Sequence, residues 1–220
     1  MYGSLAEYYQ DNAQYETFIR YQLKAISYKK LLKKDKVNEE NIGVSYLQIG
    51  SAYTKMKQYA KAIEYLKEAK KYSIHSPYVS AFLSNYYLNC YVSLKEKDSI
   101  QKYYNQVYTY PTPKDSLFLN LSYANRSLWE YYVDAGQTQT AYLYAKKAVL
   151  LGKKSNDEDI IMEANAIMGR VLYEKGEYKK AIETLKKASV NALKYDKESF
   201  VNINKKLSQS FAALGQWKEA

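Results

Sequence analysis

Two stretches of the chain decide the fold: YLQIGSAYTKMKQYAKAIEYLKEA at 46–69 and NAIMGRVLYEKGEYKKAIETLKKA at 165–188. In both, a glycine lies in the first half, a break follows, and alanine and leucine return at helical spacing. Gly50 and Gly169 occupy the same place, as do Leu66 and Leu185. Because apolar residues at i, i+3 and i+4 form one face of a helix, each stretch predicts two helices joined by a tight turn.

The same pattern recurs in weaker form along the chain. The small or apolar residues that begin each second helix are Phe18, Ala62, Ile100, Ala141, Ala181 and Ala220, which are 44, 38, 41, 40 and 39 residues apart. The whole chain, 1–220, is therefore predicted to be a single array with a period near 40. The expected units are 1–36, 37–76, 77–114, 115–155, 156–195 and 196–220, with the first and last incomplete.

This signature resembles the tetratricopeptide repeat, in which W-x2-L-G-x2-Y, A-x3-F and Pro follow one another over two antiparallel helices. One unit carries Tyr46, Ile49, Gly50, Tyr53, Ala62, Leu66 and Ala69 in these places, and another Asn165, Met168, Gly169, Leu172, Ala181, Leu185 and Ala188. The resemblance implies an all-α fold, a right-handed α-solenoid (superhelix) of antiparallel helix pairs. Units of this kind stack because none buries its apolar face alone.

Some positions carry more specific expectations. Trp129 replaces the mid-helix glycine of its unit, which predicts a more widely spaced seam between the paired helices. Gly136, Gly176 and Gly215 are expected in the turns within pairs, where glycine adopts a positive φ at little cost. Ser155 or Asn156 is expected to cap the helix that begins near residue 158.

The sequence shows no catalytic constellation. His75 is the only histidine and lies in a predicted turn, without an acidic cluster nearby. The single cysteine, Cys90, excludes an intrachain disulfide and a cysteine-based zinc site; we interpret it as an inert thiol within a helix. The common phosphate-loop, nucleophile-elbow and H-E-x-x-H motifs are missing. We therefore expect no enzymatic activity, no cofactor and no bound metal.

The net charge of +10 raises the question of nucleic-acid binding. Lysine pairs recur at 70–71, 146–147, 179–180 and 186–187, on the second helices that form the convex outer wall in the family. Glutamates three or four residues away accompany many of them. Solvated outer faces explain these lysines better than a phosphate-binding stripe, which remains the alternative.

Binding of a protein or peptide partner is what the resemblance implies. In the family, the first helices of successive units line a concave groove that holds a peptide or a partner helix. Mixed polarity on this face suits a partly polar segment. Helical register places the following residues there: Leu47, Gln48, Ser51, Lys55, Asn85, Asn89, Arg126, Glu130, Asp134, Arg170, Tyr173 and Gln209. The lysine and asparagine set with which one subfamily clamps a terminal carboxylate is not found at the matching positions.

Asparagine recurs on the first helices, at Asn85, Asn125, Asn165 and Asn204, with spacings of 40, 40 and 39 residues. Two interpretations stay open. The amides form a ladder that hydrogen-bonds an extended peptide backbone, or they make local structural bonds in an asparagine-rich chain.

The wider role follows from resemblance alone. No stretch reaches 18 apolar residues, and the first ten residues do not resemble a signal peptide. Long units favour a sensing or docking segment of a larger bacterial regulatory protein, placed in the periplasm when membrane-anchored. A cytoplasmic scaffold or co-chaperone-like adaptor is the alternative. The exposed seams of the incomplete terminal units predict homodimer formation by the isolated array.

Overall fold

The computed structural model describes residues 14–32, 34–72, 77–109, 114–195, 197–216 and 218. Over these residues the chain forms ten α-helices and no strand, which confirms the all-α helical-repeat fold. The helices are α1 (Tyr15–Leu31), α2 (Lys36–Lys55), α3 (Tyr59–Tyr72), α4 (Pro77–Leu94), α5 (Lys97–Val107), α6 (Lys114–Asp134), α7 (Thr138–Lys154), α8 (Glu158–Glu174), α9 (Tyr178–Tyr195) and α10 (Lys197–Ala213).

Five turns of one kind follow the first helices. In each, a backbone N–H donates to the carbonyl five residues earlier, as Glu177 does to Leu172 at 2.9 Å. The residue in the left-handed region is Gly136, Gly176 or Gly215 in three of these turns, with φ of 68°, 76° and 72°. These glycines were predicted. In the other two turns Lys57 and Lys95 adopt the same conformation, with φ of 58° and 59°, although lysine is disfavoured there.

Paired helices approach closely where the sequence places a mid-helix glycine. A Cβ atom built on Gly50 would lie 2.7 Å from Cδ2 of Leu66, and one built on Gly169 would lie 2.5 Å from Cγ of Leu185. Both distances are far inside van der Waals contact. A Cβ at either position would therefore force the leucine to shift, since each leucine occupies the space beside the glycine backbone.

In the pair α6 and α7 the large residue lies on the first helix and the small residue on the second, the reverse of the glycine-bearing pairs. Trp129 stands where the other pairs carry Gly50 and Gly169, and Ala145 stands where they carry leucine. Trp129 and Ala145 belong to one buried cluster, with 3% and 0% of their surfaces exposed. The two helices pack as extensively as the glycine-bearing pairs. The expected widening is thus offset by a smaller partner, because Ala145 leaves free the space that leucine fills in the other pairs.

The chain divides into two compact units, Met1–Thr112 and Pro113–Ala220. Within each unit a helix packs against the next in sequence, and the first helices also contact one another: α2 with α4, α6 with α8, and α8 with α10. The first unit has a core around Phe18, Ile49 and Leu66, all fully buried. In the second unit, the contacts of α6, α8 and α10 create the surface on which the candidate site lies.

One predicted cap is wrong. Asp157 is the N-cap of α8, and its carboxylate accepts a hydrogen bond from the backbone N–H of Ile160 at 3.1 Å. Ser155 instead donates to the carbonyl of Gly152 at 2.7 Å, closing the end of α7. Asn156 has a φ of 55° and forms the link between the two helices. Asp157 rather than Ser155 or Asn156 caps the helix, because the latter two residues form the turn between α7 and α8.

Candidate partner-binding pocket

A pocket of about 580 Å³ lies among α6, α8 and α10 in the second unit. We call it the groove pocket. Its volume falls within the range of pockets that bury most of a small ligand. The lining residues are Arg126, Trp129 and Glu130 from α6, Met162, Glu163, Ala166, Ile167 and Arg170 from α8, Leu185 from α9, and Ser199, Asn202, Ile203, Lys205, Lys206 and Gln209 from α10.

The apolar part of this lining is buried in the fold. Trp129, Met162, Ile167, Leu185 and Ile203 each keep 6% or less of their surface exposed. They belong to the two cores that join α6 to α7 and α8 to α9 and α10. The apolar side chains behind the pocket therefore form a rigid wall, since packing fixes them on their other sides.

An ion network closes one side of the groove pocket. The guanidinium of Arg126 donates from Nη1 to the carboxylate of Glu163, and its Nε lies 3.9 Å from Oε1 of Glu130. Burial opposes the charge of Arg126, but the two carboxylates outweigh that effect, so the pKa of Arg126 is raised. Burial also raises the pKa of Glu130, against the opposing influence of Arg126 and Arg170. Arg126 is thus committed to holding α6 and α8 together.

Three further cations lie on the rim. Arg170 places its guanidinium over the ring of Trp129, 4.8 Å from the centroid. Lys206 lies 4.2 Å from the ring centroid of Tyr173, and its Nζ is 3.5 Å from a carboxylate oxygen of Glu174. Lys205 is exposed. With Arg126, four basic and two acidic side chains line the pocket, so its lining carries a net charge of +2.

A smaller cavity of about 240 Å³, the side pocket, shares Trp129 and Arg170 with the groove pocket. Its other walls come from Val133 on α6, from Thr138, Ala141 and Tyr142 on α7, and from Val171 and Glu174 on α8. The stacked pair of Arg170 and Trp129 therefore stands between two cavities. A displacement of Arg170 would change the shape of both.

The structure brings four of the predicted groove residues together around the groove pocket, namely Arg126, Glu130, Arg170 and Gln209. Asp134 and Tyr173 lie on the same helices but outside its lining. Six others, Leu47, Gln48, Ser51, Lys55, Asn85 and Asn89, lie on α2 and α4 of the first unit. Gln48 accepts a hydrogen bond from Gln22 of α1 at 2.9 Å, and Asn85 is buried with 8% exposed, which leaves little of either for a partner.

Two of the recurring asparagines, Asn125 and Asn204, make local hydrogen bonds. Asn125 is fully buried and donates to the carbonyl of Leu121 at 2.7 Å. Asn204 donates to the carbonyl of Phe200 at 2.8 Å and accepts from Ser189 of α9 at 3.0 Å. Both amides bond their own helix in the same way, so the structural interpretation holds for these two positions.

Other sequence candidates contribute no site in the described part of the chain. His75 lies outside the described residues. Cys90 is fully buried, burial raises the pKa of its thiol, and Sγ is 3.5 Å from the hydroxyl of Thr54. Among residues 14–32, 34–72, 77–109, 114–195, 197–216 and 218, no cluster of three potential metal ligands occurs, and no helix has the length and apolar character of a membrane span.

Several lining residues were not predicted, chiefly Glu163, Asn202 and Lys205. A signal for them exists. Asn202, Lys205 and Gln209 follow i, i+3, i+7 spacing, as do Glu163, Ala166 and Arg170. Extending the register of Gln209 and Arg170 toward the helix N-termini would have placed them on the same face.

Known proteins resemble the chain in its repeats and its fold. Residues 44–73 and 163–189 match the family model described as the tetratricopeptide repeat. No curated protein sequence matches the chain significantly. The crystal structure of BtubC (BKLC) from P. vanneervenii superimposes with a TM-score of 0.68 at 12% identity, over 94% of this chain and 86% of that one. Cut9–Hcn1, a hetero-tetramer of APC/C, gives a TM-score of 0.58 at 15% identity, over 99% of this chain and 42% of that one.

At such identities these structures show a shared fold. The two matched repeats extend the likeness to the sequence, and the five equivalent turns carry it through both units of the chain. The chain therefore has an all-α helical-repeat fold with two segments that match the tetratricopeptide repeat, and such repeats support a protein–protein interaction module.

Proposed function

We propose that the chain is a non-enzymatic docking module that binds a segment of a protein partner in the groove pocket. The observation that carries this proposal is the composition of the pocket. Arg170 lies over the ring of Trp129 in the buried apolar wall, and Lys205 lines the same pocket. Neither side chain forms a hydrogen bond or an ion pair with any residue that the structure describes. Tryptophan and arginine are the side chains most often responsible for binding energy at interfaces.

Rigidity supports the proposal further. Met162 and Leu185 are fixed in the core of α8, α9 and α10, and the ion pair of Arg126 with Glu163 fixes α6 against α8. Because the helices and the packed side chains behind the pocket are already fixed, binding would require only exposed side chains such as Arg170 to rearrange, which limits the loss of conformational entropy.

The test is capture of partners from an extract of the source cells on the immobilised chain, followed by affinity measurement with the identified partner. Arg170→Ala and Asn202→Ala remove lining groups, and Lys146→Ala and Lys187→Ala are matched controls on the exposed faces of α7 and α9. We expect Arg170→Ala to weaken binding at least about tenfold, as loss of a hot-spot arginine does. Equal affinity of all four variants would show that partners bind elsewhere.

We also propose that the module serves a larger bacterial regulatory protein, as units of about 40 residues favour. Here the complete gene is the test. A membrane-spanning stretch and a regulatory domain encoded beyond the array would support this role, and a gene encoding the array alone would refute it.

A further inference from the structure

We propose that the groove pocket selects a partner segment in which an aspartate or glutamate stands beside a large apolar residue. Arg170 and Lys205 would bind the carboxylate, and the wall around Trp129 would bind the apolar side chain. This inference rests on the proposed function, since it specifies the chemistry of the segment that the same pocket holds.

Two of the four cations that line the pocket already form ion pairs within the fold, and two are available to a ligand. Arg126 is bonded to Glu163, and Lys206 is paired with Glu174. Arg170 and Lys205 have no such acceptor among the described residues, and they stand on α8 and α10, which pack against each other. Hydrogen bonds to an ionised group are about twice as strong as neutral ones. A ligand carboxylate therefore gains most at these two side chains, and the net charge of +2 in the lining disfavours a basic segment.

The pocket also has unused hydrogen-bonding capacity. Nε1 of Trp129, Nε of Arg126 and Oε1 of Gln209 are buried and have no hydrogen-bond partner among the residues that the structure describes. Buried polar atoms in native proteins are nearly always bonded, so each exception calls for an explanation. All three belong to residues that line the groove pocket. Two donors and one acceptor match the carbonyl and N–H groups of a peptide backbone.

These three atoms are covered in the structure, so a ligand reaches them only when a neighbouring side chain moves. Arg170 is an exposed side chain stacked on Trp129, and stacking of this kind is worth about 0.5–1 kcal/mol at an exposed site. A carboxylate that draws Arg170 outward would compete with that weak contact and uncover the indole face. An apolar side chain would then take the place of the guanidinium on the ring.

The experiment uses pools of short labelled peptides with a fixed central Leu-Glu pair and random flanks, with matched Leu-Gln and Ala-Glu pools. Binding is followed by the fluorescence anisotropy of the labelled peptides. It is also followed by the fluorescence emission of Trp129 in a Trp217→Phe variant, which leaves Trp129 as the single tryptophan, since the chain has two. We expect the Leu-Glu pool to bind at least about tenfold more tightly than the Leu-Gln pool at low salt. We also expect the Ala-Glu pool to bind more weakly, and Trp129 emission to shift on binding.

Arg170→Gln and Lys205→Gln should each reduce the preference for glutamate, whereas Lys146→Gln and Lys187→Gln should leave it unchanged; circular dichroism confirms folding. Equal binding of Leu-Glu and Leu-Gln pools would overturn the acidic assignment, while partner capture that depends on Arg170 would still uphold the proposed function. If no pool binds, the inference is wrong, and the capture experiment decides separately on the proposed function. Displacement of the Leu-Glu pool by a random single-stranded oligonucleotide, in an Arg170-dependent way, would assign the pocket to nucleic acid and overturn it.

Discussion

Trp129 and Ala145 can be exchanged for the glycine and leucine that the neighbouring pairs carry at the same places. In α8 and α9 these are Gly169 and Leu185, whose side chain fills the space beside the glycine backbone. If Trp129 fills the same space from the opposite helix, the two substitutions should compensate each other. The prediction concerns the sign of one effect: Ala145→Leu should destabilise the native chain but stabilise the Trp129→Gly variant.

The magnitudes follow from burial. Trp129 is 3% exposed, and truncation of such a side chain costs about 3–5 kcal/mol, to which a helical glycine adds about 1 kcal/mol. We therefore expect Trp129→Gly to cost about 4–6 kcal/mol. Ala145→Leu alone overpacks a filled site, at a cost of about 1–3 kcal/mol. In the Trp129→Gly background the same leucine enters the vacated space, where its burial contributes about 1.5–3 kcal/mol.

Urea unfolding of the native chain, both single variants and the double variant, followed by circular dichroism, measures the coupling. We expect a coupling free energy of about 2.5 kcal/mol or more, at the upper end of what contacting residues show. Ala148→Leu is the control, because Ala148 is also fully buried on α7 but lies outside the Trp129 cluster. If Ala145→Leu destabilises both backgrounds equally, the two side chains do not share one space, and the reasoning is refuted.

Three further predictions follow from single sites. Gly169→Ala should cost about 1–3 kcal/mol in urea unfolding, because its Cβ would lie 2.5 Å from Cγ of Leu185. Lys57→Gly should stabilise the chain by up to about 1 kcal/mol, seen as a higher Tm, because it relieves a positive φ of 58°. Burial raises the pKa of Glu130 above its ordinary 4.5. The stability that Glu130 contributes is therefore present below that pH and lost as the pH rises through the raised pKa, so Glu130→Gln should gain stability relative to the native chain as the pH rises above 4.5.

The repeat was readable because its strongest constraints are local. Gly176 and its equivalents were predicted in the turns, because glycine adopts a positive φ at the lowest cost. Lys57 and Lys95 could not be predicted in the left-handed region. Lysine has no preference for it, and the packing of the two flanking helices imposes the conformation. Only alignment with Gly176 indicates that Lys57 and Lys95 occupy the corresponding turn position.

The candidate site was readable in part, for a related reason. Helical register is a local property, so Arg126, Arg170 and Gln209 could be placed on one face before the structure was known. Register says nothing about which charges are already engaged. Glu163 stands 37 residues from Arg126 in the chain, and their bond depends on how α6 packs on α8. The distinction between a structural arginine and an available one therefore required the structure.

Trp129 shows why a departure from the repeat pattern is informative. Because Trp129 replaces a glycine, it predicted wider spacing between the paired helices α6 and α7, which is a purely structural consequence. Ala145 offsets that consequence, because it lies in the same buried cluster as Trp129 and is smaller than the leucine of the other pairs. A volume exchange of this kind leaves the core filled but changes what faces the groove: an aromatic ring, under Arg170, at the boundary of two pockets. The double variant with Gly and Leu would recover part of the packing and lose the ring. A folded double variant that no longer binds the partner would therefore separate the role of Trp129 in recognition from its role in stability.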